Sequence, residues 1–421
     1  MLAGGCTKRQ APDAPAPSSL EKYAELPGLK STANARLRDQ LLRITEDGGT
    51  PEQLSQSSLA EGDNVAVALG EVLPPAKVKS LWERSEKIWP PRGFEFDPIR
   101  LQKAIDFCRE HQAERRKVRE LLTRPRCPLG IRFSAGFSAD LRVIDLVRLA
   151  ARWEAFQAAQ SLAENHLAAA IDAFSLMLRL AACLAAERHP VARLEAAAVR
   201  SEAFRVAAAV VQHEKIARRE LERLHEAVCA HWDAWSSDAD AWIGDRALGL
   251  HTYEMIRGGE LARLLTMAEL ERFEHEGNLR ELAPAALRTV DEDELYYLEA
   301  MQKIIDSCRQ SYAARTAVLE TIESDLRQKQ DTPEFPLVAA RLLLPGIGQG
   351  HLIQVQDRAN CTAWALALAM ATGRDWSRYQ LNPLTGKPYP TSQQGRWIGV
   401  AAGEGCSIQV PAPAESEDPG P

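Results

Sequence analysis

The chain has 421 residues, of which 45% are hydrophobic, 26% charged and 6% aromatic. This composition supplies one large or two modest cores, and it excludes disordered, collagen-like and disulfide-scaffold proteins. The formal net charge is -7, from 58 acidic and 51 basic side chains spread along the whole chain. Nucleic acid is therefore not an expected partner.

The cysteines exclude two kinds of site. No pair has the Cys-x-x-Cys spacing of a zinc ribbon or a thioredoxin-like redox centre. The eight cysteines stand at positions 6, 108, 127, 183, 229, 308, 361 and 406.

The richest apolar stretch, 363–371, is about half the 18 residues that a bilayer crossing requires. We therefore expect no membrane-spanning helix.

The first six residues read Met1-Leu2-Ala3-Gly4-Gly5-Cys6, and a run rich in proline, alanine and serine follows over 11–19. Residues 2–6 resemble the lipobox of bacterial lipoproteins, which is of the type Leu-Ala-Gly-Cys. The resemblance implies that Cys6 carries acyl chains, each worth about 0.8 kcal/mol per buried CH₂. The only membrane contact expected is this lipid anchor at Cys6.

A signal peptide also needs a basic region and an apolar stretch of about 7–15 residues, whereas five residues precede Cys6. If the true start lies upstream, we expect a periplasm-facing lipoprotein of the bacterial cell envelope. If the likeness is a coincidence, the chain is cytoplasmic.

Proline positions and apolar spacing predict the fold class. The only proline between Pro128 and Pro284 is Pro190, and proline interrupts helices. Alanine supplies about a third of 151–200, which lets antiparallel helices approach closely. The sequence predicts a mainly α protein, an antiparallel stack of helical hairpins with a small C-terminal β-hairpin and disordered termini. Predicted helices in the stack include 167–188, 191–212, 216–234, 238–257 and 260–276.

One segment of the stack has a narrow apolar seam with 3-4 spacing. It starts with acidic residues at 291–294 and is predicted as one long helix over 290–328. Arg315 is the exception in the seam and is expected to reach solvent or to pair with an acid. The seam packs inside the chain or against a second copy; we favour the intramolecular bundle, and so a monomer.

These features divide the chain into five regions. Residues 1–34 hold the signal remnant and tether, and 35–137 hold short helices. The alanine-rich stack occupies 138–330 and ends in the long helix. The last two regions are a C-terminal helix with a β-hairpin, 331–410, and a disordered acidic tail, 411–421.

The run Asn382-Pro383-Leu384-Thr385-Gly386-Lys387-Pro388-Tyr389 carries a second resemblance. It is similar to the C-terminal motif Asp-Pro-Phe-Thr-Gly-x-Pro-Leu/Tyr of a large group of helical secreted bacterial proteins, and a related motif ends the major pseudopilins of type II secretion. Asn382 stands where the motif has aspartate. The likeness covers about 50 residues, and it implies an envelope location without implying an activity.

Candidate chemistry is sparse. His225 and Cys229 are four residues apart on one predicted helix, and His231 follows two positions later. They are weak metal candidates, because a zinc site needs three or four converging ligands; no metal or cofactor is expected. The aromatic run 231–235 is expected to be a packed helix end rather than a ligand platform.

Three functions remain open at this point. We favour a non-enzymatic envelope protein, anchored through Cys6, that acts as an interaction or scaffold component for a protein partner. The second is a metal-dependent or other hydrolase with ligands from distant helices, although no Gly-x-Ser-x-Gly elbow is present. The third is a pseudopilin-like secretion accessory.

Overall fold

The computed structural model describes residues 32–57, 65–123, 127–260, 263, 279–332, 335–403 and 406–412. The predicted fold class is confirmed: the described chain is mainly helical and has a small antiparallel sheet near its C-terminus. Three predictions lie outside the described residues. They are the lipid site at Cys6, almost all of the helix 260–276, and the tail beyond 412.

Six short helices form the N-terminal part. Asn34 caps the first, since its side chain accepts hydrogen bonds from two backbone N–H groups. Asp97 caps the fifth by accepting from the N–H of Arg100 at 2.8 Å. The helices are α1 (Ala35–Glu46), α2 (Pro51–Ser57), α3 (Val65–Val72), α4 (Pro75–Ile88), α5 (Pro98–Glu110) and α6 (Gln112–Leu122). A short 3-10 helix, Phe133–Ser138, then leads into the stack.

Five long helices form the alanine-rich stack. The first three are joined by connections of only three residues and pack consecutively as hairpins. Buried alanines on their contact faces permit the close approach that the sequence predicts. The helices are α7 (Arg142–Ala163), α8 (Leu167–Ala186), α9 (Pro190–Val211), α10 (Arg218–Asp233) and α11 (Asp238–Arg257).

The sequence predicts no helix apolar enough to span a membrane, but helix α8 meets that criterion. By length and composition it is apolar enough to cross a bilayer, with Asp172 and Arg179 as its two charged residues. Of its most apolar window, 61% is buried inside the protein against neighbouring helices. The apolar composition is therefore explained by a core position in the stack.

The predicted single long helix over 290–328 is wrong. The chain forms two helices there, separated by a turn at 308–311. Ser311 starts the second helix by accepting a hydrogen bond from the N–H of Ala314 at 3.4 Å. The helices of this part are α12 (Leu279–Arg288), α13 (Val290–Ser307) and α14 (Tyr312–Lys329).

The C-terminal part has one long helix and three strands rather than a two-stranded hairpin. A π-helical turn, Ala339–Leu343, precedes α15 (Ile347–Thr372), and a short 3-10 helix, Ser377–Tyr379, follows it. The strands β1 (Thr391–Gln394), β2 (Trp397–Gly403) and β3 (Cys406–Pro411) pair antiparallel in the order β1-β2-β3. In the register, Thr391 lies opposite Val400, and Ile398 lies opposite Val410.

Helix α15 organises the core. It packs against the helices α9, α10 and α14 and against the strands β2 and β3. Trp364 of α15 stacks on Phe204 of α9 with ring centroids 5.5 Å apart. The buried side chains of Ile398, Val400 and Val410 join the same apolar cluster and fix the sheet to the helix.

Candidate functional site

The structure brings together two of the three predicted metal candidates. On α10, Nε2 of His225 lies 3.2 Å from Sγ of Cys229, and the hydroxyl of Tyr379 donates to the same sulfur at 3.1 Å. His231 lies apart from this pair, with its ring edge-on to Trp235. Within the described ranges, no group of three His, Cys, Asp or Glu side chains could hold a metal ion.

The His225, Cys229 and Tyr379 groups are all neutral near pH 7. Burial raises the pKa of the Cys229 thiol and lowers that of His225. Burial, followed by the contact with Cys229, raises the pKa of Tyr379 to about 12. An activated thiolate needs a lowered pKa or a positively charged neighbour that dominates over burial. This cluster therefore lacks the thiolate and imidazolium pair of a cysteine nucleophile.

One concentration of buried charge lies where four helices meet. Both Nε and Nη2 of Arg200 on α9 donate to Asp357 on α15, at 2.7 and 2.6 Å. Nη1 of Arg315 on α14 donates to Asp238 at the start of α11, at 2.8 Å. All four side chains are at most 7% exposed. We call these two ion pairs, together with Arg193, the buried ionic cluster.

Arg193 extends the cluster to the connection between α10 and α11. Its Nη2 donates to the carbonyl oxygen of Ser237 at 2.6 Å, and burial lowers the pKa of its guanidinium. Burial also raises the pKa of Asp357, while Arg200 acts in the opposite direction. Charges removed from water are tolerated only when they are paired and hydrogen-bonded, and the Arg200–Asp357 and Arg315–Asp238 pairs meet this condition within the chain.

Neutral aromatic and imidazole rings surround the cluster. His351 on α15 is fully buried and stacks on Trp242, with ring centroids 4.3 Å apart. Burial lowers the pKa of His351 to about 4 and that of His231 to about 3. Neither nitrogen of His351 has a hydrogen-bond partner among the described residues. The guanidinium of Arg200 lies 4.5 Å from the ring centroid of Trp235, and Trp232 and Trp235 pack, partly buried, against the central apolar cluster.

Sequence reasoning missed the cluster, although one signal was present. Arg193 and Arg200 are seven residues apart and therefore share a face of α9 with buried Ala196 and Ala203. Two arginines on an alanine face require acidic partners when that face is packed. Their partners could not be read from local spacing, because Asp357 is 157 positions away from Arg200.

An open cleft of about 440 Å³ lies between α8 and α10. Its lining is mostly alanine and aliphatic side chains, with Ser175, Arg223 and His231 among the polar ones. The hydroxyl of Ser175 donates to the carbonyl oxygen of Ile171 at 2.8 Å, and Arg223 pairs with Asp172 at 2.7 Å. Ser175 and Arg223 are thereby bonded within the fold, whereas Nε2 of His231 has no hydrogen-bond partner among the described residues.

Residues of the C-terminal motif, 382–389, form hydrogen bonds with both the sheet and α15. Oδ1 of Asn382 accepts from the N–H of Leu384 at 2.8 Å, and Nδ2 donates to the carbonyl oxygen of Ala402 on β2 at 3.4 Å. The hydroxyl of Tyr389 donates to the carbonyl oxygen of Ala359 on α15 at 2.7 Å. Each residue therefore has a structural role in this chain.

Comparison of the chain with family models, with curated proteins and with solved structures finds no match. The geometry of the described residues and the sequence are therefore the basis of any functional assignment.

Proposed function

We propose that the chain is a non-enzymatic scaffold component of the bacterial cell envelope, anchored by lipid at Cys6 and acting through its helical surface on a protein partner. The observation that carries the proposal is the buried ionic cluster. Arg200 pairs with Asp357 and Arg315 pairs with Asp238, so the cluster links α9, α11, α14 and α15. Charged groups that an enzyme would direct at a substrate here hold helices together.

The packing of the stack supports the same proposal. Small buried residues on α7, α8 and α9 let these helices pack closely, which favours a rigid body over one that opens around a substrate. The Pro/Ala/Ser-rich run after Cys6 has the composition of a spacer between an anchor and a folded domain. Two or three acyl chains on Cys6 would give durable attachment.

The test is subcellular fractionation of the protein expressed from an in-frame start upstream of Met1. We expect the wild-type chain in the membrane fraction and the Cys6→Ser variant in the soluble fraction. Cys308→Ser is the matched control, because it makes the same substitution in the body of the protein and leaves the anchor intact. Equal fractionation of wild type and Cys6→Ser would contradict the anchor.

A hydrolase is the second candidate, and one observation favours it: Ser175 and His231 line the same cleft. Labelling with a fluorophosphonate probe, lost in Ser175→Ala, would support a serine hydrolase over the scaffold. Stoichiometric zinc in the purified protein would instead support a metal enzyme, with His225 and Cys229 as the first ligands to replace. An unlabelled protein without zinc would favour the scaffold.

A further inference from the structure

The end of α6 and residue Leu129 are hydrogen-bonded to one face of α8 and to the residue that follows its last turn. Arg179, Cys183 and Glu187 are spaced four apart, so they lie in a row along the helix. Arg179 donates to the carbonyl oxygen of Thr123, and Sγ of Cys183 donates to that of Leu122 at 3.9 Å. At the other end of the row, Glu187 accepts a hydrogen bond from the N–H of Leu129 at 2.7 Å.

Cys127 lies between these two anchored ends. It packs against the apolar cluster that includes Leu180 and Leu184 of α8, and its side chain interacts with that of Cys183 and shifts the pKa of both thiols. Both cysteines are half-buried and not in a disulfide. The anchors at Thr123 and Leu129 hold Cys127 against the middle of the row. The hydrogen bonds from Arg179 and to Glu187 therefore hold Cys127 beside Cys183 from both sides.

We propose that Cys127 and Cys183 are a disulfide-forming pair, which closes when the chain meets an oxidant of the disulfide class. The inference rests on the hydrogen bonds that hold residues 122, 123 and 129 against α8, with Cys127 between them and facing Cys183. It does not depend on the proposed function.

The electrostatics of the pair set the order of the steps. The interaction with Cys127 and the charge of Arg179 lower the pKa of Cys183, while the same interaction and burial raise the pKa of Cys127. Cys183 loses its proton to solvent, and its thiolate attacks the oxidant and expels one thiolate from it. Cys127 then loses its proton and attacks Sγ of Cys183, which expels the second thiolate. The two protein thiols lose two protons and two electrons, and the oxidant becomes two thiols.

The disulfide would close a loop that contains α7 and most of α8, and so would restrict the unfolded chain. We expect oxidation to raise the melting temperature by about 5 °C. Such a bond persists in an oxidising envelope compartment and is rare in a reducing cytoplasm.

The test uses the purified full chain, reduced, freed of reductant and then incubated with glutathione disulfide. After alkylation and denaturation, we expect a form that lacks two alkylated thiols and yields a tryptic peptide joining Cys127 to Cys183. Cys183→Ser should abolish this form, and Cys308→Ser, the control, should retain it. Full alkylation of both cysteines after oxidation, or a bond that joins other cysteines instead, would overturn the inference.

A second measurement traps thiols by alkylation in living cells that produce the chain from the upstream start. A Cys127–Cys183 disulfide in cells supports both the pair and the envelope location. A pair that is oxidised by glutathione disulfide in solution but reduced in cells would contradict the envelope location alone. Failure of the disulfide pair and failure of the envelope location therefore give different results.

Discussion

The guanidinium of Arg315 donates to Oδ2 of Asp238 at 2.8 Å, and both side chains are more than nine-tenths buried. The same guanidinium donates to the carbonyl oxygens of Cys308 at 2.7 Å and Gln310 at 3.3 Å. These carbonyls belong to the turn between α13 and α14. The residue that interrupts the apolar seam thus closes this turn and ties it to the first turn of α11, as the expected pairing with an acid requires.

We expect Arg315→Leu to lower the free energy of unfolding by about 3–5 kcal/mol, because it leaves Asp238 buried without its hydrogen-bonded cation. Urea denaturation measures the change. Arg309→Leu is the matched control, since Arg309 lies exposed in the same turn and its loss should cost less than about 0.5 kcal/mol.

Light scattering on the same samples tests the preference for a monomer. The wild-type chain and Arg315→Leu should both remain monomeric if the seam packs within the chain. A wild-type dimer, or a dimer created by Arg315→Leu, would contradict the intramolecular bundle.

Local signals in the sequence predict those parts of the fold that depend on near neighbours. Helix α11 begins and ends at the predicted residues, because Ser237 caps its start and glycines follow its end. The turn at 308–311 was missed, since the apolar spacing continues across it and conceals the cap at Ser311. The acidic partner of Arg315 could not be identified for another reason: Arg315 and Asp238 are 77 positions apart, a separation that helical periodicity does not encode.

The core position of α8 can be tested at Leu178, which is 2% exposed. Leu178→Asp places a carboxylate in an apolar cluster and should lower the free energy of unfolding by about 3 kcal/mol or more. The matched control is Ala169→Asp on the exposed side of the same helix. Thermal melting followed by circular dichroism compares them, and equal melting temperatures would mean that the face of α8 is wrongly placed.

Asn382 stands where the related motif has aspartate, and the structure gives this difference a consequence. In Asn382→Asp the acceptor for Leu384 is kept, but a carboxylate cannot donate to the carbonyl oxygen of Ala402. We expect the free energy of unfolding to fall by about 1–3 kcal/mol at pH 7, because residue 382 is buried. Chemical denaturation measures it, and Thr385→Ala at the exposed part of the turn serves as control. A gain in stability would show that the motif prefers aspartate here too.

His351 gives the last prediction, which concerns pH. The pKa of His351 falls from an ordinary value of 6.5 to about 4 on folding, because burial and then the charge of Arg315 disfavour its protonation, while Asp238 opposes them. The unfolded chain therefore binds a proton at this residue between these pH values, and the folded chain does not. The free energy of unfolding contributed by His351 falls as the pH is lowered from about 6.5 to 4.

His351→Phe removes this titration and keeps a flat ring against Trp242. Between pH 7 and pH 5, the free energy of unfolding should fall by about 2 kcal/mol more for the wild-type chain than for the variant. The comparison is made by urea denaturation of both proteins at both pH values, so contributions from other titrating groups cancel. His166→Phe, on an exposed histidine, is the control and should retain the full wild-type loss. Equal losses for wild type and His351→Phe would mean that the imidazole accepts a proton in the folded chain, and so that the ring is not shut off from water beside Arg315.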